Sequence, residues 1–124
     1  MTTPLPVTDA QRATQRLRRA DALARREAKR QRAWVAAGAC AEHLRQTFGA
    51  TRVAVFGSLV EDGGRGFGAG SDIDLAAWGL APDDYFAAVS RMQSIAREYE
   101  VDLVAMERCP AHLEAPIAAH GQAL

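Results

Sequence analysis

The sequence predicts an α/β (α+β) fold in which a small β-sheet is flanked by helices and preceded by a long N-terminal helical arm. Three observations predict it. The chain has 124 residues, the length of one domain, and its 48% hydrophobic and 24% charged residues exclude a fully disordered protein. Residues 9–47 contain no proline and are rich in Ala, Arg, Gln and Leu, which favour helix. Three short apolar runs follow, with helical patterns between and after them, as in a sheet covered by helices.

The first 32 residues divide by composition into a tail and an arm. Two prolines make residues 1–8 a flexible tail. Thr8 or Asp9 is suited to cap the helix that follows. Residues 9–32 then form an arginine-rich helical arm whose weak apolar face consists of Ala13, Leu17, Ala20 and Ala24. Because so little apolar surface is available to bury, we expect the arm to project into solvent or onto a partner.

The apolar face of the helix becomes stronger after the arm. Its members follow helical spacing and are Trp34, Ala37, Ala41, Leu44 and Phe48. Gly38 interrupts this stretch, so the segment forms either one long helix or two helices with a joint before Trp34. Gly49 is suited to end the helix.

Three runs of β-branched and apolar residues are expected to form strands, at residues 52–56, 73–78 and 100–106. The segment between the first two, residues 57–70, contains six of the ten glycines and is expected to form a loop. The predicted order of elements is therefore α-β-β-α-β-α, with one further helix on each side of the last strand.

Two prolines help to place those last two helices. Pro82 opens the first of them at its initial turn. We expect the buried face of that helix to contain Phe86, Val89, Met92 or Gln93, Ala96 and Tyr99. Residues 111–120 are helical in composition but contain Pro116, which predicts a short or kinked helix.

The clearest chemical pattern is the pair of carboxylates at Asp72 and Asp74. Residues i and i+2 of a strand point to the same face, so both carboxylates would project together. Asp102 alternates with apolar residues on the next strand, so three carboxylates converge if the two strands are neighbours. Such a group is best tolerated around a cation, and hard oxygen ligands favour Mg²⁺ or Mn²⁺. Two aspartates in this spacing are also common on exposed strands, so the surrounding order of elements carries the prediction.

The end of the first strand adds a second pattern. That strand leads directly into Gly57 and Ser58, and a glycine-rich segment follows. Glycine allows backbone N–H groups to approach a polyphosphate closely, and the serine hydroxyl adds a donor. A strand followed by Gly-Ser is weak evidence alone, because many hairpins share it.

The joint order of these motifs resembles the DNA polymerase β-like nucleotidyltransferase superfamily. Specifically, it is similar to the minimal nucleotidyltransferase (MNT) proteins that occur as antitoxins beside HEPN-domain toxins. The matching segments are residues 56–59 (FGSL), 71–75 (SDIDL) and 101–104 (VDLV). The resemblance implies that residues 33–124 form a minimal nucleotidyltransferase domain built on a small mixed β-sheet with flanking helices. It does not extend to the arm.

The resemblance also implies roles for individual residues. The catalytic residues and metal ligands would be Asp72, Asp74 and Asp102, holding two Mg²⁺ ions or Mn²⁺. The nucleotide-binding residues would be Gly57, Ser58, Arg65 and Ser71. The reaction would transfer AMP from ATP to a hydroxyl group, with release of pyrophosphate.

One segment departs from the family pattern. An Ala-Arg-Gly often follows Gly-Ser-x in the family, whereas Val60, Glu61 and Asp62 stand there in this chain, and the loop is about three residues longer. An insertion would explain both differences, with Arg65 supplying the missing cation. If no insertion is present, nucleotide affinity is reduced and the chain is a weak or inactive member.

Three functions remain open. The first is an antitoxin that adenylylates a tyrosine of a partner HEPN toxin, as in the resembling proteins. The second is a nucleotidyltransferase of small molecules such as aminoglycosides. The third is an antitoxin that acts by contact alone. The chain has no room for an acceptor-binding domain, so a partner chain or a second copy would complete the site in a homo- or hetero-oligomer.

Charge and composition indicate which partners and which cellular compartment to expect. Residues 1–50 contain ten basic and four acidic side chains, whereas residues 51–124 contain five and eleven. The basic arm is therefore a candidate docking element. Direct nucleic-acid binding by the arm is disfavoured because residues 12–32 contain no aromatic side chain for base stacking. With no apolar run of membrane-spanning length, no signal peptide and only two cysteines, we expect a cytoplasmic protein.

Overall fold

The computed structural model describes residues 6, 8–68 and 70–124, so the tail predicted at residues 1–8 lies almost entirely outside the described residues. The helices and strands, in chain order, are α1 (Asp9–Phe48), β1 (Arg52–Phe56), β2 (Ile73–Trp78), α2 (Tyr85–Ile95), β3 (Val101–Ala105), α3 (Ala111–His120) and β4 (Gln122–Ala123). Short 3-10 turns lie between them, at Gly57–Leu59, Glu61–Gly64, Pro82–Asp84 and Met106–Arg108. Within the described residues, no helix combines the length and the apolar character needed to cross a bilayer.

Helix α1 is a single helix of 40 residues. It begins with a reciprocal capping box: the Gln11 N–H donates to the Thr8 hydroxyl at 3.1 Å, and the Thr8 N–H donates to the Gln11 side chain at 2.8 Å. Gly38 does not break the helix. Gly49 ends it in the left-handed region at φ 73°, where glycine carries little conformational cost.

The two halves of α1 differ in burial. Every described residue from position 8 to position 28 is exposed, so this part of the helix projects from the body. The buried residues of the second half are Ala33, Ala37, Cys40, Ala41 and Leu44. Two contacts hold the root of the exposed half: the Tyr99 hydroxyl donates to the Lys29 carbonyl at 2.9 Å, and Arg32 lies 3.3 Å from Glu98.

The sheet has the strand order β3-β2-β1-β4. Strands β2 and β3 are parallel, whereas β1 is antiparallel to both β2 and β4, so the sheet is mixed, as the resemblance implies. Strand β4 was not predicted. It has only two residues, which is too short for a sequence pattern, and it exists because it pairs with Ala54 and Val55 of β1.

The two faces of the sheet are covered by different helices. One face packs against α1 and α2, and its largest fully buried side chains include Leu44, Val53, Val55, Ile73, Leu75 and Met92. The other face forms a smaller cluster of Phe56 and Ala76 with Ile117 of α3. The arrangement is a helix–sheet–helix sandwich, as predicted.

The buried face of α2 differs from the prediction at two residues. Phe86 was expected in the core but is 82% exposed, and Ala88, which was not predicted, is buried together with the predicted Met92. The helix begins at Tyr85, which packs against the core and whose hydroxyl donates to the Leu103 carbonyl at 2.6 Å. Tyr99 is buried as predicted, although the helix has already ended at Ile95.

Candidate active site

Two of the predicted carboxylates lie side by side on the sheet. Asp74 of β2 is directly opposite Asp102 of β3 in the parallel register. Both line a cavity of about 360 Å³, whose wall also includes Phe56 and Tyr85. The half-buried Asp74 lies deeper, and Asp102 is exposed at the rim. The cavity is therefore open to a ligand on the side of Asp102.

The turn after β1 packs against the same carboxylate. Gly57 has a φ of 73°, and a Cβ atom at this position would overlap the carboxylate of Asp74. The backbone of the Gly57–Leu59 turn, which contains Ser58, therefore approaches Asp74 in a way that only glycine permits. This contact places the turn beside the carboxylate of Asp74, and the role of Gly57 and Ser58 in nucleotide binding stays a prediction.

The environment of Asp74 opposes its ionisation. Burial is the largest cause that raises the pKa of Asp74 to about 7, followed by the negative charges of Asp102 and Asp72. A hydrogen bond between the Asp74 and Asp102 side chains and the charge of Glu61 raise this pKa further. A divalent cation between Asp74 and Asp102 would relieve this repulsion, so the two residues fit a hard cation such as Mg²⁺.

Asp72 lies directly before β2, which begins at Ile73 as the sequence predicts. That its carboxylate shares a face with Asp74 stays a prediction. Its charge still raises the pKa of Asp74. Among residues 6, 8–68 and 70–124, no three Asp, Glu, His or Cys side chains are grouped so that they could hold one metal ion. A role for Asp72 as a metal ligand stays a prediction.

Ser71 stabilises the glycine-rich loop. Its hydroxyl accepts a hydrogen bond from the Gly68 N–H at 3.0 Å, and its own N–H donates to the Gly68 carbonyl at 3.1 Å. These bonds close a turn directly before Asp72. Ser71 thus supports the loop from within, and its predicted contact with the nucleotide is not tested by this arrangement.

Arg65 lies apart from the Asp74–Asp102 pair. It lines a separate cavity of about 300 Å³ together with Arg26 and Arg30 of α1. The segment before Arg65 is acidic and adds negative charge near the aspartate pair, since Glu61 raises the pKa of Asp74. No local sequence pattern indicates that residues of the arm lie beside the glycine-rich loop, because this contact depends on the path of the loop.

Tyr85 is a further residue at this site, and none of the sequence motifs includes it. It lines the cavity beside Asp74 and Asp102, and its hydroxyl is held by the Leu103 carbonyl. Tyr85 lies close to the aspartate pair because it is the first residue of α2, which packs against β3. The only sequence signal was its position directly after the Pro82–Asp84 turn.

No protein-family model matches this sequence, and no curated protein matches it at a significant level. Solved structures do match in fold. A chain of a toxin–antitoxin crystal structure with AMP-PNP has a TM-score of 0.55 and 22% identity, covering 66% of this chain and 66% of the matched chain. A chain of the toxin–antitoxin MntA–HepT has a TM-score of 0.54 and 19% identity, with 73% of this chain and 69% of the other covered.

A third match is to a tri-AMPylated Shewanella oneidensis HEPN toxin in complex with its MNT antitoxin. Its TM-score is 0.53 at 19% identity, covering 73% of this chain and 70% of that one. The matched region thus spans about two thirds of the length of these chains. At these identities the likeness is one of fold. The chain has the fold of the MNT antitoxins, which confirms the fold that the motifs predicted.

Proposed function

We propose that this protein is an antitoxin of the MNT type that transfers AMP from ATP to a tyrosine hydroxyl of a partner HEPN toxin. The observation that carries the proposal is the pairing of Asp74 with Asp102 beside Gly57. This arrangement occurs on a fold shared with MNT antitoxins, of which one structure contains AMP-PNP and another an AMPylated toxin. The partner and the nucleotide are inferred from those neighbours.

In the proposed reaction, the acceptor oxygen forms a bond to the α-phosphorus of ATP. The bond from that phosphorus to the oxygen that bridges to the β-phosphate breaks, and pyrophosphate leaves. The acceptor proton passes to a carboxylate, for which Asp102 at the exposed rim is our candidate. The protein contributes mainly alignment and charge, as expected for phosphoryl chemistry.

Asp74 and Asp102 would hold the divalent cation, and Asp72 would add negative charge close by. A bound Mg²⁺ would neutralise phosphate charge and lower the pKa of the acceptor hydroxyl. Gly57 and Ser58 would bring backbone N–H groups and a hydroxyl towards the phosphates. Ser71 would maintain the loop that precedes Asp72.

The test is AMP transfer to a HEPN-type toxin in the presence of ATP and Mg²⁺, followed by intact-mass spectrometry of the toxin. We expect the wild type to add AMP and the Asp74→Asn/Asp102→Asn variant to lose at least about 100-fold in rate. Asp83→Asn is the matched control, since Asp83 is an exposed acid outside the cavity. An unmodified toxin with the wild type would overturn the transferase proposal.

A second candidate is an antitoxin that neutralises its partner by contact alone. The negative charge that Glu61 adds beside Asp74 favours it, since phosphate binding needs cations at that place. Neutralisation of the toxin by the Asp74→Asn/Asp102→Asn variant as effectively as by the wild type would select this function. Loss of neutralisation together with loss of AMP transfer would select the transferase.

A further inference from the structure

Three arginines from two distant parts of the chain meet at one cavity. Arg26 and Arg30 belong to α1, and Arg65 follows the Glu61–Gly64 turn of the glycine-rich loop. Together they line the cavity of about 300 Å³ between this loop and the helix. Among the described residues that line it, Glu27 is the only acid, so three arginines stand against one carboxylate.

The Arg30 side chain is held in one orientation. Its Nε donates to Glu27 at 3.0 Å, and its Nη2 donates to the other carboxylate oxygen at 2.7 Å. These two bonds use one edge of the guanidinium group. The remaining nitrogen, Nη1, lies on the side of Gly64, 3.3 Å from the point where a Cβ of that residue would be. Because Glu27 holds the edge with Nε and Nη2, the Nη1 side of the guanidinium group is directed towards the loop.

The loop closes on this arginine because of its glycines. Gly64 has a φ of 80°, and a Cβ atom there would lie 2.8 Å from Arg30 Cδ and 2.9 Å from the Leu59 carbonyl oxygen. A side chain at this position would therefore push the loop away from α1. Three successive residues, Asp62, Gly63 and Gly64, have positive φ values, which turns the chain so that Arg65 faces the same cavity.

The arginine cavity adjoins the turn that serves the aspartate pair. The turn begins at Gly57, which packs against Asp74, and ends at Leu59, whose carbonyl lies beside Gly64 and Arg30. Negative groups lie near Asp74, whereas the three arginines line a different cavity that borders the end of this turn. A ligand with one phosphate bound to a cation at the aspartate pair and further phosphates beyond it would suit both places.

We propose that Arg26, Arg30 and Arg65 form a binding site for an oligophosphate group, either the phosphate tail of a nucleotide or free pyrophosphate. Guanidinium groups bind phosphate through paired N–H donors, and three arginines line this one concave site. The identification of the tail with that of ATP rests on the proposed function. The binding of an oligophosphate by the three arginines does not.

The experiment is calorimetric titration of sodium pyrophosphate into the full chain, with EDTA present to exclude divalent cations. We expect the Arg26→Gln/Arg30→Gln variant to weaken binding by about tenfold or more. The matched control is Arg16→Gln/Arg19→Gln, which removes the same charge from exposed positions of the same helix. We expect that control to change the affinity by less than about twofold. The single variant Arg65→Gln, on the loop, tests the site without any change in α1.

Either of two results would overturn the proposal: no binding of pyrophosphate by the wild type, or equal weakening in the control and site variants. The Asp74→Asn/Asp102→Asn variant separates this question from catalysis, since it should still bind pyrophosphate even where AMP transfer is absent. A competition with ATP then identifies the source of the phosphate. If ATP prevents pyrophosphate from binding, the site takes the phosphate tail of the nucleotide. If both bind at the same time, the site takes a free oligophosphate.

Discussion

Asp74 and Asp102 lie opposite each other on the parallel strands β2 and β3, and the backbone register fixes their proximity. The register keeps their Cα atoms opposite each other, so the two charges stay close in the folded state. The raised pKa of Asp74, about 7, expresses their repulsion together with the burial that is its largest cause. The pair therefore affects both the stability of the protein and its affinity for cations.

The first prediction concerns pH and stability. The pKa of Asp74 is about 7 in the folded chain, above the value of about 3.9 for an unfolded aspartate. The unfolded chain therefore loses this proton first, and the free energy of unfolding falls as the pH rises from about 4 to about 7. The variant Asp74→Asn cannot ionise at this position, so it avoids this decrease in the free energy of unfolding. Allowing for solvent screening, we expect its advantage at about pH 8 to be on the order of 1 kcal/mol, or about 4 °C in Tm.

Thermal unfolding in EDTA at about pH 5 and about pH 8 checks this prediction. The advantage of Asp74→Asn should shrink at the lower pH, where the wild-type carboxyl keeps its proton. Asp83→Asn, at an exposed position, controls for the loss of one negative charge. A constant difference between Asp74→Asn and the wild type at both pH values would show that Asp74 titrates normally.

The second prediction concerns Mg²⁺. A cation that binds only the folded chain raises the free energy of unfolding, by about 2.7 kcal/mol at a hundred times its Kd. We expect MgCl₂ to raise the Tm of the wild type above pH 7 and to leave that of Asp74→Asn/Asp102→Asn unchanged. Thermal scans at constant ionic strength measure this difference. Equal shifts in both proteins would indicate a general salt effect and no cation site at the pair.

The third prediction compares two glycines with positive φ. Gly57 and Gly63 have φ values of 73° and 65°, but only a Cβ at Gly57 meets another group, the Asp74 carboxylate. Gly63→Ala should cost about 1 kcal/mol from backbone strain alone. Gly57→Ala should cost at least about 1 kcal/mol more, because Asp74 has to move. Urea unfolding of both variants gives the comparison, and equal costs would mean that the turn yields without disturbing Asp74.

The fourth prediction concerns the root of the arm. Tyr99→Phe removes the hydrogen bond from the tyrosine hydroxyl to the Lys29 carbonyl and should cost about 1 kcal/mol. Amide hydrogen exchange around residues 29–33 should become faster. Tyr85→Phe removes a hydrogen bond of the same kind to Leu103 and should leave exchange at the root unchanged. Equal protection of residues 29–33 in all three proteins would show that this bond does not anchor the arm.

The fifth prediction concerns truncation. Removal of residues 1–24 deletes only exposed positions of α1, so the Tm should change by less than about 5 °C. Removal of residues 1–36 also deletes Ala33 from the core and the Arg32–Glu98 ion pair, and should destabilise the protein strongly. Thermal unfolding followed by circular dichroism distinguishes the two. A large loss from the shorter deletion would mean that the exposed half contributes to the stability of the body.

The sequence predicted well those features that depend on local alternation of side chains. Strands β1 and β2 occupy the predicted residues 52–56 and 73–78, and the long helix passes through Gly38 because neighbouring residues favour helix. Asp74 and Asp102 could be picked out because each stands between apolar residues of a buried strand. Their pairing needed only that β2 and β3 be neighbours.

Features set by longer-range contacts were not predictable in this way. Phe86 is exposed, whereas its neighbour Tyr85 packs against the core and donates to the Leu103 carbonyl. Arg65 meets Arg30 only because successive residues of the loop adopt left-handed conformations, including the non-glycine Asp62. In each case a hydrogen bond or a loop path decides the outcome, and neither leaves a periodic signal.

The unbroken course of α1 has a mechanical consequence. At about 1.5 Å per residue, 40 residues make a rod of about 60 Å, of which roughly half extends beyond the body. A rod clamped at one end acts as a lever, so a tilt at Lys29 too small to disturb the core displaces the tip by several times as much. The reverse also holds: a load at the tip is delivered to the clamp, where Arg30 touches the glycine-rich loop. A partner bound at the N-terminal end of α1 would therefore be coupled mechanically to the glycine-rich loop without contacting that loop.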